Sequence, residues 1–354
     1  MRRHFIDNIK SLIILLVVIY HSIYIFNSAG VYSNINVKGI PQMDMLLYFV
    51  YPWFMSLMFV LAGMCARYSL HKRTKKEFIN ERIRKLVLPS TLGVFLISWI
   101  NGFITSKYVD VFGGNKVTGI IKYFVYCFMG IGPLWFLHEL FLAVTILLII
   151  RYFDKNDNIY RYCSQLHIIV ILLLFFIVWG SSFLFNMPLI TVYRNGIYIL
   201  MFLLGYYIFS NNNIQKKLAK NYVPIIVIAV VMGIIYVWYY YGTNYTSEKN
   251  LTSFYTNLYL WLMILGITGF GTVYLEFDNK LMTFLKKRSF GLYILHYPVM
   301  LCSAYILTTY FNMPMVYVYI LVFLSTIIVT LICYEVLKRI PGVRLILFGI
   351  KKLK

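Results

Sequence analysis

The stretch "DNIKSLIILLVVIYHS", Asp7 to Ser22, is nearly a membrane span. It runs apolar from Leu12 to Tyr20 and then places His21 inside the apolar run, with Lys10 at its mouth. Lys10 and His21 are eleven residues apart. At 100° per residue that is about three turns plus roughly 20°, so both share one helix face, ~16 Å apart along the axis. Asp7 lies one turn before Lys10 on nearly the same face. Ionisable groups within a span are expensive and usually functional, so the histidine reads as a site residue rather than a packing residue. A neutral imidazole is also a natural general base.

Composition extends that reading to the whole chain. Of 354 residues, 61% are hydrophobic, 19% aromatic and only 13% charged, with a mean hydropathy of +0.75. A soluble domain cannot hide so much apolar surface, so an all-α polytopic membrane protein is expected. The first run has a basic start at Arg2 and Arg3 and small residues at Ser28-Ala29-Gly30, as a signal peptide does. Its length, its histidine and the many runs that follow favour an uncleaved first helix. The five cysteines, Cys65, Cys127, Cys163, Cys302 and Cys333, show neither metal spacing nor a disulfide framework.

Windows of roughly 20 apolar residues place about ten spans, near 9–28, 43–66, 86–104, 133–151, 167–186, 195–210, 223–241, 255–275, 290–310 and 316–337. The sixth is short and carries Gly196 and Gly205. If the N-terminus is cytoplasmic, the inner segments 1–10, 67–85, 151–166, 211–222, 276–289 and 338–354 hold 27 of the 33 Lys and Arg. The outer side keeps Lys38, Lys107, Lys116, Lys122, Arg194 and Lys249. That asymmetry predicts both termini inside. The formal charge of +21 is therefore a topology signal and not a nucleic-acid signal. One integral-membrane domain over 1–354 is expected. The longest outer loop, about 105–132, contains an apolar stretch, Gly119 to Met129, suited to the interface. The basic and apolar tail "KRIPGVRLILFGIKKLK" reads as a surface helix on anionic lipid.

Motifs along the chain then become specific in combination. "IDNIKSLIILLVVIYHS" (6–22) resembles the opening of the membrane-bound acyltransferase 3 family, in which a basic residue, usually Arg, precedes a His by ten intervening positions. "MFVLAGMCARY" (58–68) resembles that family's second span, with Ala62-Gly63 at its Ser-Gly pair. "FINERIRKLVLP" (78–89) resembles its basic approach to the third span, with Arg82 and Lys85 at two spaced arginines and Pro89 at its proline. "GPLWFLHELF" (132–141) and "SFGLYILHYPV" (289–299) are similar to its Trp-Phe-Leu span and its late Tyr–His segment. Lysine for arginine at two positions keeps the charge but loses the planar fork. The glucan-modifying branch is the nearest in character. Some members carry a C-terminal esterase-like domain, which is not expected here.

The resemblance implies transfer of an acyl group, acetyl or succinyl, from cytoplasmic acyl-CoA to a hydroxyl of an extracytoplasmic carbohydrate in the cell envelope. It implies a multi-pass protein of a bacterial plasma membrane, with acyl-CoA as substrate, no resident cofactor and no metal. His21 would be the base, Lys10 its partner in placing the donor, and Glu139 a residue that orients His21 or binds acceptor hydroxyls. Arg82, Arg84 and Lys85 would hold the donor's phosphates, and Tyr293 and His296, i and i+3, would line its channel. His296 is expected about two turns from the inner end of its span. His138 and Glu139 could instead form structural bonds between helices. Trp135 and Phe136 read as packing, Asp44 and Arg194 as side chains snorkelling to water, and Glu335 as the partner of a nearby Lys or Arg. The rival function is an exporter or flippase of a glycan or lipid-linked sugar. A non-catalytic scaffold would gain little from a buried His21 and Glu139.

Overall fold

In a computed structural model the chain is described over residues 3–188 and 192–352. Arg2 and Lys354, which contribute to the charge asymmetry, lie outside these residues. Eight of the ten expected spans are single helices long and apolar enough to cross a bilayer, counted among the described residues. They are α1 (His4–Tyr24), α2 (Pro41–Leu70), α3 (Lys75–Thr105), α5 (Gly132–Phe153), α9 (Asn212–Tyr240), α10 (Phe254–Tyr274), α11 (Lys280–Tyr310) and α12 (Met315–Leu337). The expected fifth span is a pair, α6 (Asn158–Ser164) and α7 (Ile168–Ser181), bent by 115°. The expected sixth, α8 (Asn195–Phe209), is too short for a span of its own by length. The count is thus eight, or nine if the bent pair is one span, rather than ten. The stretch Gly119–Met129 is the helix α4. A short antiparallel pair joins Asn186–Pro188 to Val192–Arg194.

The described chain falls into two compact units, each assembled from three separate segments. The first contains residues 1–13, 48–78 and 139–283. Here the start of α1 is capped from far away in sequence. Both Glu276 oxygens accept from the His4 and Phe5 amides, at 3.1 and 3.2 Å. A carboxylate satisfies orphan first-turn N–H groups and complements the helix dipole. Asn8, fully buried, donates to the carbonyls of Leu275 and Phe277.

The same unit packs α2 directly on α8. A Cβ on Gly63 would meet the Phe202 carbonyl, and one on Gly205 would meet the Val60 carbonyl. Small residues at such crossings let backbones approach in membrane bundles, which gives Ala62-Gly63 a packing reason. Beside the crossing, the Phe59 and Tyr198 rings stack at 4.7 Å. At the end of α2, Arg67 is 4% exposed. Its guanidinium binds the Asp157 carboxylate, reaches the Tyr206 hydroxyl and lies 3.6 Å over the Tyr160 ring. Asp157, in a left-handed conformation between α5 and α6, also accepts from Arg151. Burial alone would push the Asp157 carboxyl up, but Arg67, Arg151 and His71 together hold it below the usual carboxylate range.

The second unit contains residues 14–47, 79–138 and 284–354. Its part of α3 holds two π turns, Ile83–Val87 and Val94–Ser98. The first lies just before Pro89, where a missing N–H already interrupts the helical ladder. Helix α13 (Pro341–Phe348) seats Leu347 beside Gly93 and the Phe348 ring 4.9 Å from that of Tyr334. Leu347 and Phe348 are therefore buried in protein, while Ile340 and Leu345 stay exposed on the tail. Glu335 pairs with Arg288 at 2.9 Å and with Lys338, as expected.

Replacing Gly63 with valine should destabilise the protein by about 1–3 kcal/mol through overpacking. Gly180, whose Cβ position has nothing within 4 Å, provides the control. In a thermal-unfolding assay on purified protein, Gly63→Val should lower the midpoint while Gly180→Ala leaves it near wild type. Equal midpoints for the two variants would contradict the close crossing of α2 and α8.

Candidate active site

Helix α1 runs unbroken from His4 to Tyr24 and carries both Lys10 and His21. No proline or glycine interrupts it. Past its end, the Asn27 amide donates to the Tyr24 and Val31 carbonyls at 2.8 and 3.0 Å, satisfying backbone that the helix leaves open. His21 sits in the last turn and keeps part of its surface exposed.

In the second unit, α11 brings His296 against His21. The His296 Nε2 and His21 Nδ1 atoms are 3.1 Å apart, and the ring centroids 5.2 Å. His296 itself is 0% exposed. Its Nδ1 faces the Tyr293 carbonyl at 2.8 Å and the Leu292 carbonyl at 3.2 Å. Helix α11 begins at Lys280, ten residues before the expected start of the span. His296 therefore lies about 24 Å along the helix from that end, and about two turns past the expected start of the apolar span at 290. A buried His296 bonded to another imidazole does not fit a residue lining a donor channel. Tyr293 does not fit that part either. It is buried, its hydroxyl donates to the Pro133 carbonyl, and its ring lies 5.7 Å from Phe136. Phe136 is thus packing, as expected.

Tyr297, which the sequence reading passed over, completes the surroundings of His21. Its ring meets that of His21 edge-on, at 5.1 Å and 72°. Its hydroxyl donates to Asn34, whose amide donates to Thr105 at 2.7 Å. Thr105 in turn donates to the Asn101 carbonyl, and the Asn101 amide donates to the Gly130 carbonyl at 2.7 Å. This buried chain ties the loop after α1, the end of α3 and the turn before α5 to the ring beside His21. Adjacency to His296 was the only signal for Tyr297. Asn34, in an irregular loop, gave none.

The other expected residues are placed as follows. Lys85 donates to Glu81 at 2.7 Å one turn back, so its charge is partly balanced within the helix. The Arg84 side chain is half-buried, and its Nε has no hydrogen-bond partner among the described residues. Arg82 is also half-buried. The Gly349 position of the tail abuts the Arg84 carbonyl and the Lys85 stem. Lys10 is half-buried. His138 Nε2 bonds the Ser90 carbonyl at 2.6 Å, the structural bond between helices.

Glu139 is 3% exposed and belongs to the first unit. With the Asn195 amide turned so that its nitrogen faces the carboxylate, it donates to both Glu139 oxygens, at 2.7 and 3.3 Å. Asp44 and Arg194 do not snorkel. Asp44 is buried and accepts from the Ser28 amide at 2.8 Å. Arg194 is 1% exposed and donates to the Leu251 carbonyl at 3.0 Å and to Asn257 at 3.4 Å. Both are buried near helix ends. Among the described residues no group of three or more His, Cys, Asp or Glu could hold a metal ion.

The acyltransferase 3 family model, described as an acyltransferase domain, matches residues 3–335, and the chain belongs to that family. It is similar to glucans biosynthesis protein C of Salmonella typhi, Salmonella typhimurium (strain LT2) and Salmonella heidelberg (strain SL476). Identity is 22% over 374 residues, covering 98% of this chain and 95% of each relative. No solved structure matches. The protein is thus a membrane acyltransferase that moves groups other than aminoacyl groups.

The Glu139–Asn195 contact is open to a double-mutant cycle. Glu139→Gln, Asn195→Ala and the double variant should give a coupling energy of about 1–2 kcal/mol in unfolding stability. Additive effects would show that the amide does not face the carboxylate.

Proposed function

We propose that the protein transfers an acetyl or succinyl group from cytoplasmic acyl-CoA to a hydroxyl of an extracytoplasmic carbohydrate, with His21 as general base. The observation that carries this reading is the imidazole of His21 in a membrane helix, held on one side by His296 and Tyr297. The relatives' name, glucans biosynthesis protein C, favours a glucan or a related envelope sugar as acceptor. The location that goes with it is a bacterial plasma membrane, with both termini on the cytoplasmic side.

The chemistry balances without a covalent enzyme intermediate. The acceptor hydroxyl oxygen attacks the thioester carbonyl as His21 removes its proton. The new C–O bond forms, the C–S bond breaks, and the imidazolium returns the proton to the departing thiolate. Lys10, eleven residues before His21 on the same helix, meets the anionic end of the donor. Arg82, Arg84 and Lys85 supply further positive charge for its phosphates. Glu139, with Asn195, offers a carboxylate and an amide of the kind that bind sugar hydroxyls.

Orientation is tested by cysteine-accessibility labelling. Cysteines placed at 75 and 250 should react from opposite sides, with 75 cytoplasmic; labelling from one side defeats the assignment. Catalysis and donor placement separate in variants. His21→Ala should lower acyl transfer by at least ~10²-fold, the scale of general-base catalysis, while the folded protein still binds acyl-CoA. Lys10→Ala and Arg82→Ala should instead weaken donor binding, with a loss that shrinks at high salt. A His21→Ala protein that acylates near the wild-type rate rules out the base. A wild-type protein that binds no acyl-CoA points to the exporter.

A further inference from the structure

The proton positions in the two-histidine contact follow from the partners. His296 Nδ1 faces two backbone carbonyls, at 2.8 and 3.2 Å. A carbonyl only accepts, so Nδ1 carries a proton. The ring is 0% exposed, and among the described residues it makes no ion pair with a carboxylate. An uncompensated charge is costly there, so the ring is neutral and its Nε2 is bare. That bare nitrogen lies 3.1 Å from His21 Nδ1. Two lone pairs would repel at this distance, so His21 Nδ1 must donate. In the neutral His21 ring the lone pair then belongs to Nε2, the nitrogen turned away from His296. The tautomer of one imidazole is set by the bond its other nitrogen makes.

We infer that His296 is a positioning residue that fixes His21 in the Nδ1-protonated tautomer, so that His21 Nε2 is the atom that takes the acceptor's proton. The tautomer half stands on geometry alone, whereas the catalytic half rests on the acyl-transfer reading. His296 touches no reacting atom. It acts through His21, and its own donor is anchored to the first carbonyls available along α11, so it cannot turn without losing two bonds. Tyr297 supports the arrangement from the side. Its edge-on ring, held through Asn34 and Thr105, opposes a flip of the His21 ring that would put carbon where Nδ1 stands.

Nitrogen-15 NMR of histidine-labelled protein in nanodiscs reads the tautomer directly, with His21→Ala used to assign the signal. In the wild type, His21 should show a protonated Nδ1 and a bare Nε2. In His296→Leu that preference should weaken, the backbone hydrogen bond of the His21 group to Val17 being the contact left to it. The kcat for acyl transfer should fall ~10²-fold, with the KM for acyl-CoA unchanged. His296→Gln places a carbonyl oxygen near the former Nε2, where it accepts from His21, and should restore kcat to within about tenfold of wild type. His296→Asn is too short to reach and should resemble His296→Leu. A general structural defect would lower all three variants alike and move KM as well.

A wild-type His21 protonated on Nε2 overturns the inference, as does wild-type kcat in folded His296→Leu or His296→Asn. If His296→Leu does not fold, the Gln-against-Asn difference decides, and equal rates for that pair overturn it. A wild-type protein with the stated tautomer but no acyl transfer removes the functional reading and the catalytic half with it.

Discussion

A polar side chain buried in an apolar bundle must find a partner, and that requirement organises the structure around His21. An unpaired donor or acceptor in hydrocarbon is costly enough to compete with much of the net stability of a domain. The second unit meets the requirement with His296 for the ring nitrogen and the Tyr297–Asn34–Thr105 chain for the neighbouring hydroxyl. Each run ends on a carbonyl, that of Tyr293 in α11 for His296 and that of Asn101 in α3 for Thr105. Moving any one of them would strand another, so the loop after α1 and the end of α3 are held in place by the same bonds that hold the histidine.

Much of this was readable from the sequence because bilayer thickness imposes a length on apolar runs. Runs such as Leu12–Tyr20 and Met315–Leu337 announce themselves. The failures have physical causes. Lys286, Lys287 and Arg288 look like the end of a span, yet α11 continues through them to Lys280. Charged residues at a membrane boundary break hydropathy but not helix geometry. Conversely, α8 is apolar enough but stops at 15 residues, and it packs on α2 through Gly63 and Gly205. Close packing of this kind depends on which helix lies opposite, and that is not encoded in a local window.

The site divides along the same line. The shared helix of His21 and Lys10 was legible because their spacing lies within one apolar run, where geometry is fixed at 100° per residue. The pairing of His21 with His296 joins residues 275 positions apart, and no periodicity reports it. The burial of Asp44 and Arg194 escaped for a related reason. A charge at a helix end normally reaches water, and only the folded chain shows the Ser28 amide and the Leu251 carbonyl waiting beside them. The late Tyr–His segment illustrates both sides. Its resemblance to a family motif drew attention to Tyr293 and His296, but the motif could not say that one bonds the Pro133 carbonyl and the other an imidazole.

The choice of a second imidazole, where a carboxylate would be the stronger partner, follows from the surroundings. A carboxyl group beside His21 would be the stronger acceptor only while ionised. Within the apolar packing of the second unit that charge would need its own hydrogen bonds or a cation, and removing ions from water tends to consume what their attraction returns. A neutral histidine supplies the same acceptor lone pair with no net charge. It is also self-contained, because its remaining N–H is satisfied by carbonyls of its own helix. The partner is correspondingly weaker. It fixes the tautomer and orientation of His21 but offers less stabilisation to an imidazolium than an anion would. For the proposed transfer, such a base would suit a proton held only briefly, passing from an attacking hydroxyl to a departing thiolate that is itself a good leaving group.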